Sequence, residues 1–537
     1  MEQQPYDLVV VANRLPVAAE TDDDGAVRWV RSPGGLVSSL EPALRSSRAV
    51  WVGWSGRVAS DDVIDVPVPQ SLGPCALREV PLTASQVEDY YEGFCNSTLW
   101  PLYHDAIATP VYHRHMWDAY VEVNRAFAAH AAEVAGPGAT VWVHDSQLQL
   151  VPALLRELRP DLKIGFFLHI PFPPIELFLQ LPWRQAIVEG LLGADLVGFH
   201  TPGAAANFLA LAHRLFDHPV DADGIDLVDH TGRERRVTVG AFPISIDTRE
   251  YDAIARTPEA QDAAVELRRR LGNPRWVLLG VDRLDYTKGI DLRIKAFTEL
   301  LADGSIEPGS AVFLQVATPT RENVEDYQRL RDEIALLVGR AVGDHGVIGA
   351  APVQYLHQPF EREAIVSFYA AADVMLVTPY RDGMNLVCKE YVASRMRDDG
   401  ALVLSEFAGA AVELRDAYLV NPYDADGIKR TILQAMNAPQ PELQRRMRSM
   451  RSWLFEHDVH RWTSSFLEAL GEPSAVGMDL SLPALRAVQA RGFQAVRGML
   501  VGCPLQPRSF SLVTAFHFLE HVHPVEPILA AMKELLL

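Results

Sequence analysis

The chain has 537 residues, of which 48% are hydrophobic and 22% charged, and carries a net charge of −20. At roughly 100–200 residues per domain this is a soluble globular protein of two to four domains, and its acidity argues against general nucleic-acid binding, which needs a basic face. An acidic chain that binds a phosphorylated small molecule has to gather Arg and Lys locally, against its own field.

From the N-terminus, MEQQPYDLVVVANR carries acid ahead of a short apolar run, unlike the basic leader of a signal peptide. Short β-rich apolar runs then alternate with amphipathic helical stretches. They predict strands at Leu8–Ala12, Thr140–Val143, Ile164–Leu168, Leu196–Phe199, Val237–Phe242, Val277–Val281, Val312–Val316, Val374–Thr378, Leu402–Leu404 and Tyr418–Val420. Helical spacing is clear at Glu322–Val338 and again from Met384 to Val392, where Lys389 and Glu390 fall off the apolar stripe. This alternation implies parallel α/β sheets, and ten strands exceed one comfortable domain. GAFPISIDTREY (Gly240–Tyr251) reads as a linker, giving lobes of about Met1–Ile244 and Ser245–Val459. No run approaches the ~18 apolar residues of a membrane span. Cys75, Cys95, Cys388 and Cys503 lack metal-ligand spacing and are expected to be free thiols. The expectation is a cytoplasmic protein with no membrane or nucleic-acid partner.

Ligands of open α/β sheets bind beyond the carboxyl ends of the strands. There the chain places Arg14, Asp145, His169, then Asp282, Arg283 and Lys288, and finally Arg381, Asp382 and Asn385. Singly, each has an ordinary structural reading: Asp382 as a helix N-cap, Arg14 as a surface ion pair, His144 and His169 as packed histidines, Lys288 as a solvated turn residue. Together they fall on one kind of edge. Arg283 and Lys288 suit a diphosphate, one through bidentate hydrogen bonds and the other as a compact charge. Gly34 and Gly35, just before a helical pattern, allow close backbone approach to a phosphate. Neither a P-loop nor a GxGxxG fingerprint is present. Trp51, Trp54, Tyr91 and Trp100 read either as core or as walls against the C–H faces of a sugar.

The motifs ANRLPV, PGGL, WVGWSG, VHD, FFLHIPFP, GADLVGFHT, FPISID, VDRLDYTKGI, RDGMNLVCKEY and SEFAGAA stand in the order found in trehalose-6-phosphate synthases. The chain resembles that family over about residues 6–470. The resemblance implies a GT-B fold, with two facing Rossmann-like doubly wound domains and no metal or cofactor. It implies a retaining glucosyltransferase that uses a nucleotide-glucose, UDP-glucose above all, and glucose 6-phosphate, and leaves room for a homo-oligomer. Residues 1–244 would bind the acceptor, 245–459 the nucleotide sugar, and a helix at 460–472 would close the unit.

Carried over by motif, Arg14, Trp54, Tyr91, Trp100, Asp145 and Arg321 would line the glucose 6-phosphate site. Gly34, Gly35, Arg283 and Lys288 would meet the donor diphosphate, with Phe360, Leu386, Val387 and Glu390 along the nucleotide. His169, Asp382, Gly383, Met384 and Asn385 would surround the transferred glucose. Asp145, His169, Arg283, Lys288 and Asp382 form the expected catalytic set. No carboxylate is set up as a covalent nucleophile of the glycosidase kind. The family reaction is thought to run on one face of the sugar. Ser146 departs from the family's aromatic after HD. The alternatives are a GT-B synthase with another acceptor (a glucosylglycerol-phosphate synthase or a pseudo-glycosyltransferase) and a non-catalytic sugar-phosphate-binding regulator.

The tail, 473–537, resembles the middle of a class I S-adenosylmethionine-dependent methyltransferase, with Asp479 in the ribose-binding position, a strand at Leu512–Phe516 and LEHV at Leu519–Val522. About 65 residues cannot complete that core, so an incomplete α/β appendage without activity is expected.

Overall fold

The computed structural model describes residues 5–21, 27–31, 40, 44, 48–58, 68–73, 75–228, 232, 234–321 and 324–471, with strands at 476–479 and 494–497. It divides into two compact units, Met1–Val459 and His460–Leu537.

In the first unit the chain lays down β1 (Tyr6–Arg14), the hairpin β2 (Val17–Thr21) and β3 (Val27–Arg31), β4 (Ala49–Trp54), β5 (Ser71–Leu72), β6 (Cys75–Glu79), β7 (Ala135–His144), β8 (Lys163–Phe167), β9 (Leu196–Phe199), β10 (Gly224–Val228) and β11 (Glu234–Ala241). All but the hairpin join one sheet in the order β10-β11-β9-β8-β7-β1-β4-β6-β5. In it β10 and β5 run antiparallel to their neighbours and the other pairs are parallel. A second, wholly parallel sheet follows: β12 (Trp276–Arg283), β13 (Ala311–Thr318), β14 (Val353–Leu356), β15 (Val374–Val377), β16 (Ala401–Ser405) and β17 (Tyr418–Val420), ordered β14-β13-β12-β15-β16-β17.

All ten expected strands lie in these sheets. β4 was not among them, because its aromatics drew the reading toward ligand contacts. It is a core strand, buried at every position and paired with β1 from Leu8↔Ala49 onward. Trp51 is core, its indole N–H donating to the Arg14 carbonyl at 3.0 Å. The short strands β5, β10 and β14 at the sheet edges, and β6 next to an edge, also carry too little apolar pattern to be read from sequence.

Each sheet reverses its direction of growth once. In the first, successive strands spread outward from the β1/β7 junction, and in the second from β12/β15. Such switch points leave a crevice at the carboxyl ends of the two diverging strands. β12 and β15 pair only at Leu278↔Val374 and Leu279↔Met375. The chain that leaves β12 turns at Gly289, where φ is +61° and a Cβ would stand 2.2 Å from the Thr378 carbonyl oxygen, so only glycine fits.

Two helix boundaries differ from the periodic reading. Glu325–His345 extends seven residues beyond Val338, and Glu322 lies outside the described residues. The helix expected from Met384 begins at Leu386, because Asn385 caps it: the Asn385 side chain accepts from Cys388 N–H at 3.0 Å. Met384 is buried ahead of that helix. Lys389 is not solvated. It is sealed inside, its ammonium 2.6 Å from the Glu413 carboxylate and 2.7 Å from the Ile244 carbonyl oxygen between β11 and helix Thr248–Ala255. No helix among the described residues is long and apolar enough to cross a membrane. Cys75, Cys95 and Cys388 are free and buried, and Cys503 lies outside the described residues.

In the second unit, β18 (Val476–Asp479) runs parallel to β19 (Gln494–Arg497), with Asp479 at its carboxyl end. The expected strand at Leu512–Phe516 and the LEHV segment lie outside the described residues.

Lys389→Met leaves the buried Glu413 carboxylate without its ammonium partner. The expected loss of stability is about 3–5 kcal/mol, measured by denaturant unfolding.

Candidate active site

At the carboxyl end of β1, the Arg14 guanidinium lies 4.9 Å from the Trp54 ring, and Trp54 meets Tyr91 edge-on at 5.6 Å. The Trp54 indole N–H is spent on the Arg57 carbonyl oxygen at 2.7 Å, which leaves the ring as the useful surface. Burial pulls the Arg14 pKa down, and the nearby Tyr91 hydroxyl offsets part of that. Tyr91 and Trp100 both come from the segment that opens with the π-helical stretch Val87–Leu99. Its wide turn carries into the cap, where Trp100 N–H donates to the Cys95 carbonyl oxygen five residues back. Such stretches are uncommon and frequent at functional sites.

Trp100 is the meeting point of two cations. The Arg321 guanidinium carbon sits 3.9 Å from its ring and that of Arg283 5.5 Å. Arg283 is the exposed end of β12, whereas Arg321 is buried. Arg321 is fixed by Asp285, whose Oδ2 lies 2.9 Å from its Nη1, and by the Tyr327 hydroxyl. Burial would lower the Arg321 pKa, but Tyr327 and Asp285 outweigh it and raise it.

Across the β12/β15 crevice, Lys288 Nζ is 2.6 Å from Asp382 Oδ2. The Asn385 amide donates to the same oxygen at 3.1 Å. Burial pushes the Asp382 carboxyl up, but the Lys288 charge and these hydrogen bonds leave it below its ordinary range. Asp382 is thus an ionised anchor and not the helix cap. On the first sheet's side, Asp145 Oδ1 accepts from the His169 N–H at 3.2 Å, and His144 Nδ1 meets His169 Nε2 at 3.1 Å. Burial lowers the pKa of both rings. The two sides touch at Gly383, where a Cβ would lie 2.5 Å from the His169 carbonyl oxygen. Asp145, Arg321 and Asn385 are three of the eight non-glycine residues with positive φ among the described residues. Strain of that kind concentrates at ligand sites.

The family model for glycosyltransferase family 20 matches residues 6–472. This chain belongs to that family. The trehalose-6-phosphate synthase of Mycolicibacterium paratuberculosis is 58% identical over 471 residues, which cover 87% of this chain and 95% of that one. Among solved structures, a UDP-forming α,α-trehalose-phosphate synthase from Burkholderia xenovorans in complex with glucose-6-phosphate aligns with a TM-score of 0.79 at 33% identity, covering 86% of this chain and 99% of that one. A trehalose-6-phosphate synthase solved for the study of glycosyl transfer with retention, through bisubstrate glycomimetics, aligns with a TM-score of 0.76 at 32% identity, covering 87% and 99%. These likenesses make the fold GT-B.

The remaining candidates for the family 20 site are placed less centrally. Phe360 packs edge-on against Phe368 at 5.1 Å. Leu386 and Val387 open the helix capped by Asn385. Glu390 Oε2 accepts from the Tyr369 hydroxyl at 2.8 Å, and burial raises its pKa. Gly34 and Gly35 lie outside the described residues. Ser146 is buried, with its carbonyl oxygen accepting from the Tyr120 hydroxyl at 2.8 Å. Asp282 does not face the crevice: it is sealed in a pair with Arg293. Arg381 is 3.6 Å from Asp105.

Asp285 is the site residue that strand-end reasoning passed over. It is wholly buried and accepts from Thr287 N–H at 3.0 Å, the Thr287 hydroxyl at 2.8 Å, Arg321 at 2.9 Å and the Tyr327 hydroxyl at 3.0 Å. Burial acts to raise its pKa, yet Arg321, Arg283 and Lys288 hold it well below the carboxylate range. The available signal was its place between Arg283 and Lys288 in RLDYTK.

Asp285→Asn keeps the size but removes the charge that orients Arg321. The KM for a phosphorylated acceptor is expected to rise at least about tenfold, by the 1.5–3 kcal/mol of a charged hydrogen bond. The KM for the nucleotide sugar should stay within twofold, as read by steady-state kinetics.

Proposed function

We propose that this chain is a retaining glucosyltransferase that makes α,α-trehalose 6-phosphate and UDP from UDP-glucose and glucose 6-phosphate. The observation that carries the reading is the pair of guanidinium groups on Trp100. Arg321, at 3.9 Å, suits the acceptor phosphate, and Arg283, at 5.5 Å, suits the donor diphosphate. Two anions held that close bring acceptor and donor sugars into register. Residues 1–244 would carry the acceptor site and 245–459 the nucleotide-sugar site.

In this reading Arg14 and Arg321 hold the acceptor phosphate, while Trp54, Tyr91, Trp100 and Asp145 wall its sugar. Lys288 and Arg283 hold the diphosphate, with Gly34 and Gly35 adding backbone amides. His169, Asp382, Gly383, Met384 and Asn385 surround the transferred glucose. Phe360, Leu386, Val387 and Glu390 flank the nucleotide. Reaction occurs on one face of the donor sugar. The bond from C1 to the diphosphate oxygen breaks as the acceptor hydroxyl bonds to C1, and the hydroxyl proton passes to the departing phosphate oxygen. Negative charge grows on that phosphate, where Arg283 and Lys288 are already in place to stabilise it. The Asp382–Lys288 contact of 2.6 Å supports an electrostatic role for Asp382 in holding the cation. A cytoplasmic setting belongs to the same reading, supported by three buried free thiols.

The test is an end-point assay of purified protein with glucose 6-phosphate against UDP-, ADP- and GDP-glucose. Trehalose 6-phosphate and UDP are expected, and no disaccharide phosphate from any donor would overturn the reading. Arg283→Ala and Lys288→Ala should each lower kcat by about 10²–10³ or more, with unfolding midpoints close to wild type. Truncation after residue 472 should preserve transfer, because the proposed chemistry draws nothing from the tail.

A further inference from the structure

A cavity of about 630 Å³ is formed by both halves of the first unit and includes no residue of the catalytic set. Pro202 and Pro243 come from the first sheet's side, and Val412, Met450 and Trp453 from the other. Its size is that of a small-molecule site, and domain interfaces are where such sites collect.

Its polar groups narrow the occupant. His200 is 5% exposed, and its Nε2 meets the His169 carbonyl oxygen at 3.1 Å. That contact needs the proton on Nε2, so Nδ1 offers a lone pair, and Nδ1 is buried with no partner. Burial holds the ring neutral, with a pKa of about 3. A buried acceptor left unpaired is costly and rare, and His200 belongs to the cavity wall. Glu413, Asp416 and Glu456 also line the cavity, against a single Arg415. Glu413 already takes Lys389 at 2.6 Å and the Trp453 indole N–H at 3.2 Å, and Asp416 takes Arg445 at 3.1 Å. With those two carboxylates paired, the lining offers a phosphate or sugar phosphate only the single cation Arg415, whereas the proposed anion sites of this unit gather several. Its apolar remainder suits a ring with C–H faces.

We infer that this cavity binds an uncharged sugar of mono- or disaccharide size and that its occupancy sets how the two halves close. The cavity reaches the crossing point of the halves twice. His200 holds the His169 carbonyl oxygen on which Gly383 rests, and Glu413 holds Lys389, which grips Ile244. A ligand that touches both halves binds one relative setting better and so couples to substrate affinity, and substrates couple back by the same factor.

The probe is trehalose, titrated by calorimetry into full-length protein saturated with UDP and glucose 6-phosphate, so that the active site is filled. One site is expected, lost in Ser452→Trp, which fills the exposed rim, and weakened in Trp453→Ala. In steady state trehalose should change kcat or both KM values at least about twofold, without competing with either substrate. Failure of UDP and glucose 6-phosphate to bind would count against the proposed function instead. No trehalose binding to the filled enzyme, equal binding in both variants, or displacement of trehalose by inorganic phosphate would each overturn the inference.

Discussion

Lys288 and Asp382 stand 2.6 Å apart, both close to sealed from water, and they tie together two strands that have stopped pairing. β12 and β15 share only two residue pairs before they diverge, and the crevice that opens there is the proposed nucleotide-sugar site. The chain as a whole carries a charge of −20, so a cation in this crevice needs a local reason to stay. Asp382 supplies it and is itself fixed, by the Asn385 amide on its carboxylate and by its own N–H on the Phe407 carbonyl oxygen at 3.2 Å. The lysine is thus positioned before any phosphate arrives. In the proposed function an incoming diphosphate would share a cation already desolvated and aimed, leaving little reorganisation for the chemical step.

The same logic repeats one loop earlier. Asp285, fully buried, neutralises Arg321 as Asp382 neutralises Lys288, and it sits in sequence between Arg283 and Lys288. In the proposed function, one short segment after β12 therefore offers Arg283 and Lys288 to the donor and fixes, through Asp285, the arginine offered to the acceptor.

Much of this was legible because strand ends in an open α/β sheet all face one way, so Arg14, Asp145, Arg283, Lys288 and Asp382 could be grouped before any coordinate existed. What was not legible is instructive in each case. Asp382 and Asn385 are three residues apart after the same strand, and nothing local says which caps the helix and which faces the crevice; the positive φ of Asn385 decides it. Lys389 reads as a surface charge by periodicity, yet its partners are 24 and 145 residues away in the chain. Asp285 goes unnoticed in the sequence because its chief partner, Arg321, arrives from beyond the far end of β13. β4 was hidden by its own tryptophans, which suggest ligand contact while Trp51 serves the core. The sites that escape are those whose partners are distant in sequence and whose burial inverts the usual meaning of a charge.

The segment Thr378–Val392 joins a core strand to a core helix and yet is rich in polar groups. Sorted by direction, each polar group has a distinct destination. Asp382 turns toward Lys288, Asn385 caps the helix, Glu390 meets Tyr369, and Lys389 passes to the other half of the unit to hold Ile244. Gly383 lets the His169 backbone approach, which no side chain would permit. One turn and one helix therefore both shape the proposed donor site and fasten the two sheets to each other. In the proposed function, this shared segment gives binding in the crevice and the setting of the two halves a common physical element.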